Sequence, residues 1–428
     1  MFDGNPSYDM IVRIKTIFEA LFIFFIILIG ILFNLEKKTL LAILLLVYNA
    51  ILLYQNRREK RIFFLFLVIF YFNFSFCITK YLGNPSSLLQ GLYLQVTSEY
   101  IYITSIILQI LFLFSVDIVL RVKLFGNRKA ESFHLSNRNN IILVLGCDII
   151  LVLILVYHLF KHYTVNTSIF EYSIFFFIIS LYFSRRYDKL RFFAEVLLIL
   201  FAIYSLKNGD RIAVLQFLIA NFLINYIEKI SVKNILAMFS IAVFLFTYLG
   251  LYGDILDVNG DLKKLDINYT VSQIVDRRMA LDTSVSSYFS GMSLVDLRHN
   301  FSENDRISNG LSFLTKYTLL GEKSNYKDPT ILTQKYQINY GGAPIASYFY
   351  FWFGYLGVIF IGIYVGILLN VTRGTMKTVY IDLLGIYLVS TVPRWYLYTP
   401  NLLFRGFFMF NLIIGVIYTF LVSKPQNV

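Results

Sequence analysis

Charge is scarce in this sequence. Of 428 residues, 15% are charged and 57% hydrophobic, against roughly 25% charged in an average soluble domain, and the mean hydropathy is +0.66. That balance excludes a soluble globular domain as the bulk of the chain and leaves lipid as its main solvent. Cysteine is nearly absent: Cys77 and Cys147 are the only two, and both fall inside apolar runs, which argues against a disulfide framework or a thiolate metal site. Of the four histidines, His158 and His162 stand four apart with no third ligand beside them, so no metal is expected. There is no Walker loop, GxSxG elbow or dinucleotide fingerprint, which removes support for ATP-driven transport and hydrolase chemistry. No cofactor is expected.

What the chain has instead is long apolar runs. LFIFFIILIGILF, near the N-terminus, is apolar on every face, whereas a barrel strand alternates, so the spans are helical. Runs bounded by charges predict spans near 17–35, 39–54, 62–79, 99–120, 141–160 and 169–183. Six more are predicted near 192–206, 212–227, 234–252, 343–370, 379–398 and 402–422. The first has no small-residue cleavage site after it and reads as a retained helix. The expectation is an all-α polytopic membrane protein with about twelve transmembrane helices.

Lysine and arginine set the orientation. With both termini cytoplasmic, the inner pieces carry 20 of them, with clusters at 57–61, 121–138 and 185–191. The short outward loops carry six: Lys37, Lys38, Lys80, Lys161, Lys207 and Arg211. The net charge of +12 is therefore an imprint of membrane insertion rather than a sign of nucleic-acid binding. Spans one to nine occupy 1–252, a large extracytoplasmic loop occupies 253–342, and spans ten to twelve occupy 343–428. The loop holds 11 acidic and 10 basic residues, and within it SQIVDRRMALDTSVSSYFSGM reads as helix followed by turn. Its tyrosines and asparagines suit sugar rings, whose apolar faces stack while their hydroxyls form hydrogen bonds. A plug or a partner-docking surface is the other reading of such a loop.

Three arginines fall at the outer interfacial level: Arg211 after the turn LKNGD, Arg394 near the end of the eleventh span, and Arg405 at the start of the twelfth. Positive charge there opposes the inside bias, and ionisable groups at membrane depth are functional candidates by default. The planar guanidinium fork matches phosphate oxygens, so several at headgroup depth suit a lipid-linked diphosphate. The plainer alternative is snorkelling, or pairing with Asp210, Glu171 or Glu99. Glu19, Asp117, Asp148 and Glu195 scatter over four spans without a repeated spacing and read as structural polar contacts between helices. In the tenth span, Gly362 and Gly366 form a GxxxG, which signals close helix packing.

The order of parts resembles the bacterial polysaccharide repeat-unit polymerases of the Wzy type, relatives of the O-antigen ligases. The resemblance is carried by NGDRIAVLQFL before one more span and the large loop, by RISNGLSFLTKYTLLG within the loop, by FGYLG at 353–357, and by VPRWYLYTPNLLFRG. It covers about the last half of the chain. Where a His-Asn pair is common before the Gly-containing helix, this chain has Ala343 and Pro344.

The resemblance implies a GT-C-like membrane glycosyltransferase in the bacterial inner membrane. Such an enzyme joins undecaprenyl-diphosphate-linked oligosaccharide units of O-antigen or capsule on the outer face, with a flippase and a chain-length regulator as possible partners. It implies diphosphate contacts from Arg211, Arg394 and Arg405. Arg277, Arg278, Arg298 and Arg306 are candidates for holding sugar or phosphate, and Asp210, His299 and Asp305 are candidates for the base. A lipid-linked oligosaccharide flippase and an O-antigen ligase remain as alternatives.

Overall fold

The computed structural model describes residues 36–79, 98–122, 137–161, 168–207, 211–242, 282–321, 326–336, 341–373 and 378–421. Among these the regular elements are helical, with no strand. They are α1 Lys37–Gln55, α2 Lys60–Thr79, α3 Glu99–Arg121, α4 Asn137–Lys161, α5 Ser168–Phe183, α6 Asp188–Lys207 and α7 Arg211–Asn225, then α8 Val232–Ala242. The second half adds α9 Asp282–Asp296, α10 Glu303–Ser312, α11 Pro329–Thr333, α12 Ile345–Thr372, α13 Val379–Ser390, α14 Val392–Leu397 and α15 Phe407–Leu421. Six described helical segments are long and apolar enough to cross a membrane: α1, α2, α3, α4, α12 and Leu402–Thr419. This is the make-up of a helical membrane protein. The span expected at 17–35 lies outside the described residues.

Helices α3 and α12 share the broadest seam of the bundle. The GxxxG makes it possible: a Cβ at Gly362 would stand 2.5 Å from Ser115 Cβ and 2.7 Å from the Phe112 carbonyl, and one at Gly366 would stand 2.7 Å from Val119 Cβ. At the far end of the seam, Asn370 donates to the Val119 and Val122 carbonyls at 2.8 and 2.5 Å. Arg373 donates to the Leu120 carbonyl at 2.8 Å. Together they satisfy the last turn of α3, where a cation also suits the helix dipole.

The tenth span, expected as one helix, is two. Gly354 has φ 66° and ψ −154°, which splits α12 into 345–353 and 355–372. The second piece, 18 residues at 1.5 Å each, is about 27 Å long, close to the hydrocarbon thickness. The first is buried along nearly its whole length, with Tyr348, Phe349 and Trp352 fully enclosed.

Of the stretch SQIVDRRMALDTSVSSYFSGM, read as helix followed by turn, 272–281 lies outside the described residues and the rest is helical within α9. Helix α9 packs against α2, α3 and α12. Its Tyr288 hydroxyl donates to Asn73 Oδ1, and the Tyr288 ring stacks on Phe76 with centroids 4.3 Å apart. The Tyr396 hydroxyl of α14 lies 3.0 Å from both Asn73 Oδ1 and Gln109 Oε1. One buried polar knot thus ties the loop helix and α14 to α2 and α3. Two of the acids read as contacts between helices behave so: Asp117 accepts from Tyr48 at 3.0 Å, as well as from Arg121 of its own helix, and Asp148 accepts from Ser180 at 2.6 Å; Glu195 instead accepts from Arg191 of its own helix at 3.0 Å. Glu19 lies outside the described residues.

Charged groups gather at both ends of α5, which are about 24 Å apart at 1.5 Å per residue. Beyond its C-terminus, Arg185 lies 4.5 Å over the Tyr182 ring, near Arg61, which pairs with Asp382 and stands 3.8 Å from Glu228. Its N-terminal end carries Glu171 and faces the segments from the large loop.

Candidate functional site

The loop-facing end of the bundle is built from two interrupted helices. The eleventh span stops at Ser390, turns at Thr391, and restarts as α14 with Pro393 in its first turn, where the missing N–H costs nothing. The restart places Arg394 so that its Nε donates to Glu171 Oε1 at 2.7 Å. The guanidinium also sits 5.6 Å from the Tyr398 ring centroid. Both partners of the ion pair are about three-quarters buried, with side chains 24% and 22% exposed, so the pair is reachable from solvent.

The twelfth span opens with a π-turn, Leu402–Gly406. The π-turn's backbone bond runs from the Phe407 N–H to the Leu402 carbonyl, and the same carbonyl also takes a 2.8 Å hydrogen bond from the Tyr387 hydroxyl. Arg405 lies in this turn. Its Nη1 makes a long 3.5 Å hydrogen bond to the Tyr317 carbonyl, and its guanidinium rests against the Tyr172 hydroxyl. Glu171 and Tyr172, adjacent in the first turn of α5, therefore touch one arginine each.

The large loop supplies the other wall, also through a π-turn, Phe313–Tyr317. The two π-turns meet: Phe313 and Phe404 are edge-to-face at 5.5 Å, and Asn401 Nδ2 donates to the Tyr317 hydroxyl at 3.1 Å. Gly321, with φ 63°, lies against the Arg405 guanidinium, where a Cβ would collide with it. Tyr326 packs on Tyr317 at 4.8 Å. Asp328 caps α11, accepting from the Thr330 backbone N–H at 2.9 Å and its hydroxyl at 2.7 Å. The Tyr348 hydroxyl lies 3.1 Å from both Asp328 Oδ1 and the Tyr398 carbonyl. A continuous path of contacts thus runs Glu171, Arg394, Tyr398, Tyr348, Asp328.

No family model, curated protein or solved structure matches this chain.

The other expected site residues fall in three groups. Asp210, Arg277 and Arg278 lie outside the described residues, as does the side chain of Arg211, whose backbone starts α7. That helix packs against α5, α13 and α14, so the spans carrying Arg211 and Arg394 are neighbours. His299 is exposed in a short turn, and Asp305 is engaged in a helix cap, accepting from the Ser302 hydroxyl at 2.6 Å. Arg298 and Arg306 do something the sequence did not suggest: they close the break at Gly354. Arg298 Nε donates to the Tyr350 carbonyl at 3.0 Å and Arg306 Nη1 to that of Phe351 at 3.5 Å. Those are carbonyls at the C-terminal end of 345–353, where a cation also suits the helix dipole. Burial and the charge of neighbouring Arg298 lower the Arg306 pKa.

Tyr172, Tyr317, Tyr348 and Asp328 were not singled out from the sequence. Asp-Pro-Thr at 328–330 is legible as a helix start, and nothing in it marks a carboxylate at a site. Burial raises the Asp328 pKa, only partly offset by its hydrogen bonds from Thr330 and Tyr348. A carboxyl raised in the folded chain contributes stability that is complete below its unfolded value, about pH 4, and lost as pH climbs through the folded one. Asp328→Asn is therefore expected to gain thermal stability relative to the parent between pH 4 and pH 7, measured by unfolding of the detergent-solubilised protein. A constant difference across that range would show that the carboxyl is not held above its usual value.

Proposed function

We propose that this chain is a membrane glycosyltransferase that joins oligosaccharide repeat units carried on a polyprenyl diphosphate: an O-antigen or capsular polysaccharide polymerase. The observation that supports it best is the meeting of Arg394 and Arg405 with Glu171, Tyr172 and the loop's π-turn at one end of the bundle. Two guanidiniums at a partly exposed membrane boundary match a diphosphate headgroup, and the tyrosine-rich loop wall matches sugar. In this reading about twelve spans form a GT-C-like platform in the bacterial inner membrane, with both termini cytoplasmic and the loop outside.

The chemistry needs little beyond position and charge. An acceptor hydroxyl oxygen bonds to the donor's anomeric carbon as the bond from that carbon to the diphosphate oxygen breaks, and the electron pair leaves with the diphosphate. Fixed cations stabilise that growing charge. The hydroxyl proton passes to a carboxylate, and Asp328, in the same cluster, is the one this reading assigns. Cleavage of the bond between the anomeric carbon and the diphosphate supplies the driving force, and no nucleotide sugar enters.

Deleting the gene tests the reading. The expected result is single repeat units on the carrier and at the cell surface, without long chains. Loss of every unit from the surface would identify a flippase instead. Intact polymer stranded on the carrier would identify a ligase.

A further inference from the structure

Arg394 is already occupied. Its Nε is bonded to Glu171 at 2.7 Å, so a carboxylate already holds one of the guanidinium donors that a phosphate oxygen would use if Arg394 holds the donor. We propose that Glu171 is a resident anion at the diphosphate site, one that the incoming headgroup displaces and that returns to Arg394 when the spent diphosphate leaves. The inference rests on the glycosyltransferase reading above and adds to it how the site is emptied after each transfer.

Three features of the pair suit an exchange. Both side chains keep about a quarter of their surface exposed, and pairs with this much solvent contact are weak enough to trade partners. Glu171 lies in the first turn of α5, where the positive end of the helix dipole stabilises the carboxylate after it lets go of Arg394. Its neighbour Tyr172 lies against Arg405, so an anion that spans the two guanidiniums must pass the first turn of α5 and disturb both contacts together.

The exchange also answers a difficulty set by the chemistry. Breaking the glycosidic bond leaves a diphosphate with more negative charge than the donor had, so cations that stabilise the transition state also hold the product. A carboxylate waiting beside the same guanidinium competes with that product and speeds its release. Glutamine at 171 keeps the shape and a hydrogen-bond acceptor but removes the charge.

The full chain, purified into nanodiscs, is titrated with inorganic pyrophosphate in an isothermal calorimeter without divalent cations. Glu171→Gln is expected to bind pyrophosphate up to about fivefold more tightly than the parent, the scale of removing one weak competing ion pair, and Arg394→Ala to lose the binding. In transfer assays Glu171→Gln is expected to show a lower rate per turnover and stronger inhibition by added polyprenyl diphosphate. Equal or weaker pyrophosphate binding by Glu171→Gln, with Arg394→Ala still losing it, would overturn the resident-anion role and leave the diphosphate site standing. No loss of binding in Arg394→Ala, or no binding to the parent and Glu171→Gln alike, would overturn both. Glu171→Asp, which keeps the charge on a shorter arm, is expected to fall between parent and Glu171→Gln; tightening equal to that of glutamine would tie the effect to lost contact rather than lost charge, and would overturn the competition by charge.

Discussion

Arg394→Ala and Arg405→Ala are each expected to abolish long polymer while the protein stays in the membrane at its normal level. The two halves of that expectation come from different magnitudes. The Arg394–Glu171 pair is partly exposed, and such pairs contribute about 1 kcal/mol or less to stability, so the fold survives. A cation aimed at charge that develops in the transition state is worth on the order of 100- to 1,000-fold in rate, enough to leave chains at one or a few units. Among the described residues Arg405 is held only by peripheral contacts, one long hydrogen bond to the Tyr317 carbonyl, the Tyr317 ring at 5.9 Å, the Tyr172 hydroxyl and Gly321. Arg394→Lys keeps the charge without the fork and is expected to retain shortened chains. The readout is the polysaccharide ladder on a gel beside an immunoblot of the membrane fraction. Normal chain length in both alanine variants would end the diphosphate role.

Of this cluster, Arg394 and Arg405 were legible in the sequence as candidates, and the limit of legibility has a physical cause. Arg394 and Arg405 stood out because positive charge at that depth runs against the insertion bias. Their convergence was not visible, since it depends on a helix restart at Pro393 and on two π-turns, which no residue pattern announces. The apolar runs located α1 to α7 to within a few residues, and the run at 379–398 missed the break after Ser390. The tenth span read as continuous because 345–372 is apolar throughout, and a backbone break leaves hydropathy unchanged. Serine hydroxyls compete for backbone groups, so the serine-rich α9 is not an obvious helix from its sequence. In the folded chain those hydroxyls turn back on their own helix, Ser290 to the Ser286 carbonyl at 3.1 Å and Ser293 to that of Phe289 at 3.2 Å. This lets a polar sequence lie buried among apolar spans.

Gly354→Ala is expected to be the most damaging single change in the tenth span, and the reason lies in the backbone. At φ 66° and ψ −154° only glycine is at ease, and another residue held there carries about 1–3 kcal/mol of strain. Alanine at 354 relieves that strain by letting 345–353 and 355–372 run on as one straight helix. Straightening withdraws the first piece from the site. It carries Tyr348, bonded to Asp328, and Trp352, which stacks on Phe313 of the loop's π-turn at 4.9 Å and donates to Asn309 at 3.1 Å. The cost also falls on Arg298 and Arg306, which each lose a carbonyl partner at the break, leaving Arg306 with the Phe301 carbonyl at 3.2 Å and Arg298 over the Tyr350 ring. The variant is therefore expected to melt at a lower temperature in detergent and to make no long polymer. Arg298→Met with Arg306→Met approaches the same break from the other side, uncapping two carbonyls at about 1–3 kcal/mol each while Gly354 keeps its conformation. If the break is what holds the loop over Arg394 and Arg405, the double variant loses polymer as Gly354→Ala does, and protease cleaves the loop segment 303–321 faster in both. Wild-type melting and cleavage in Gly354→Ala would mean that the break is not needed to seat the loop.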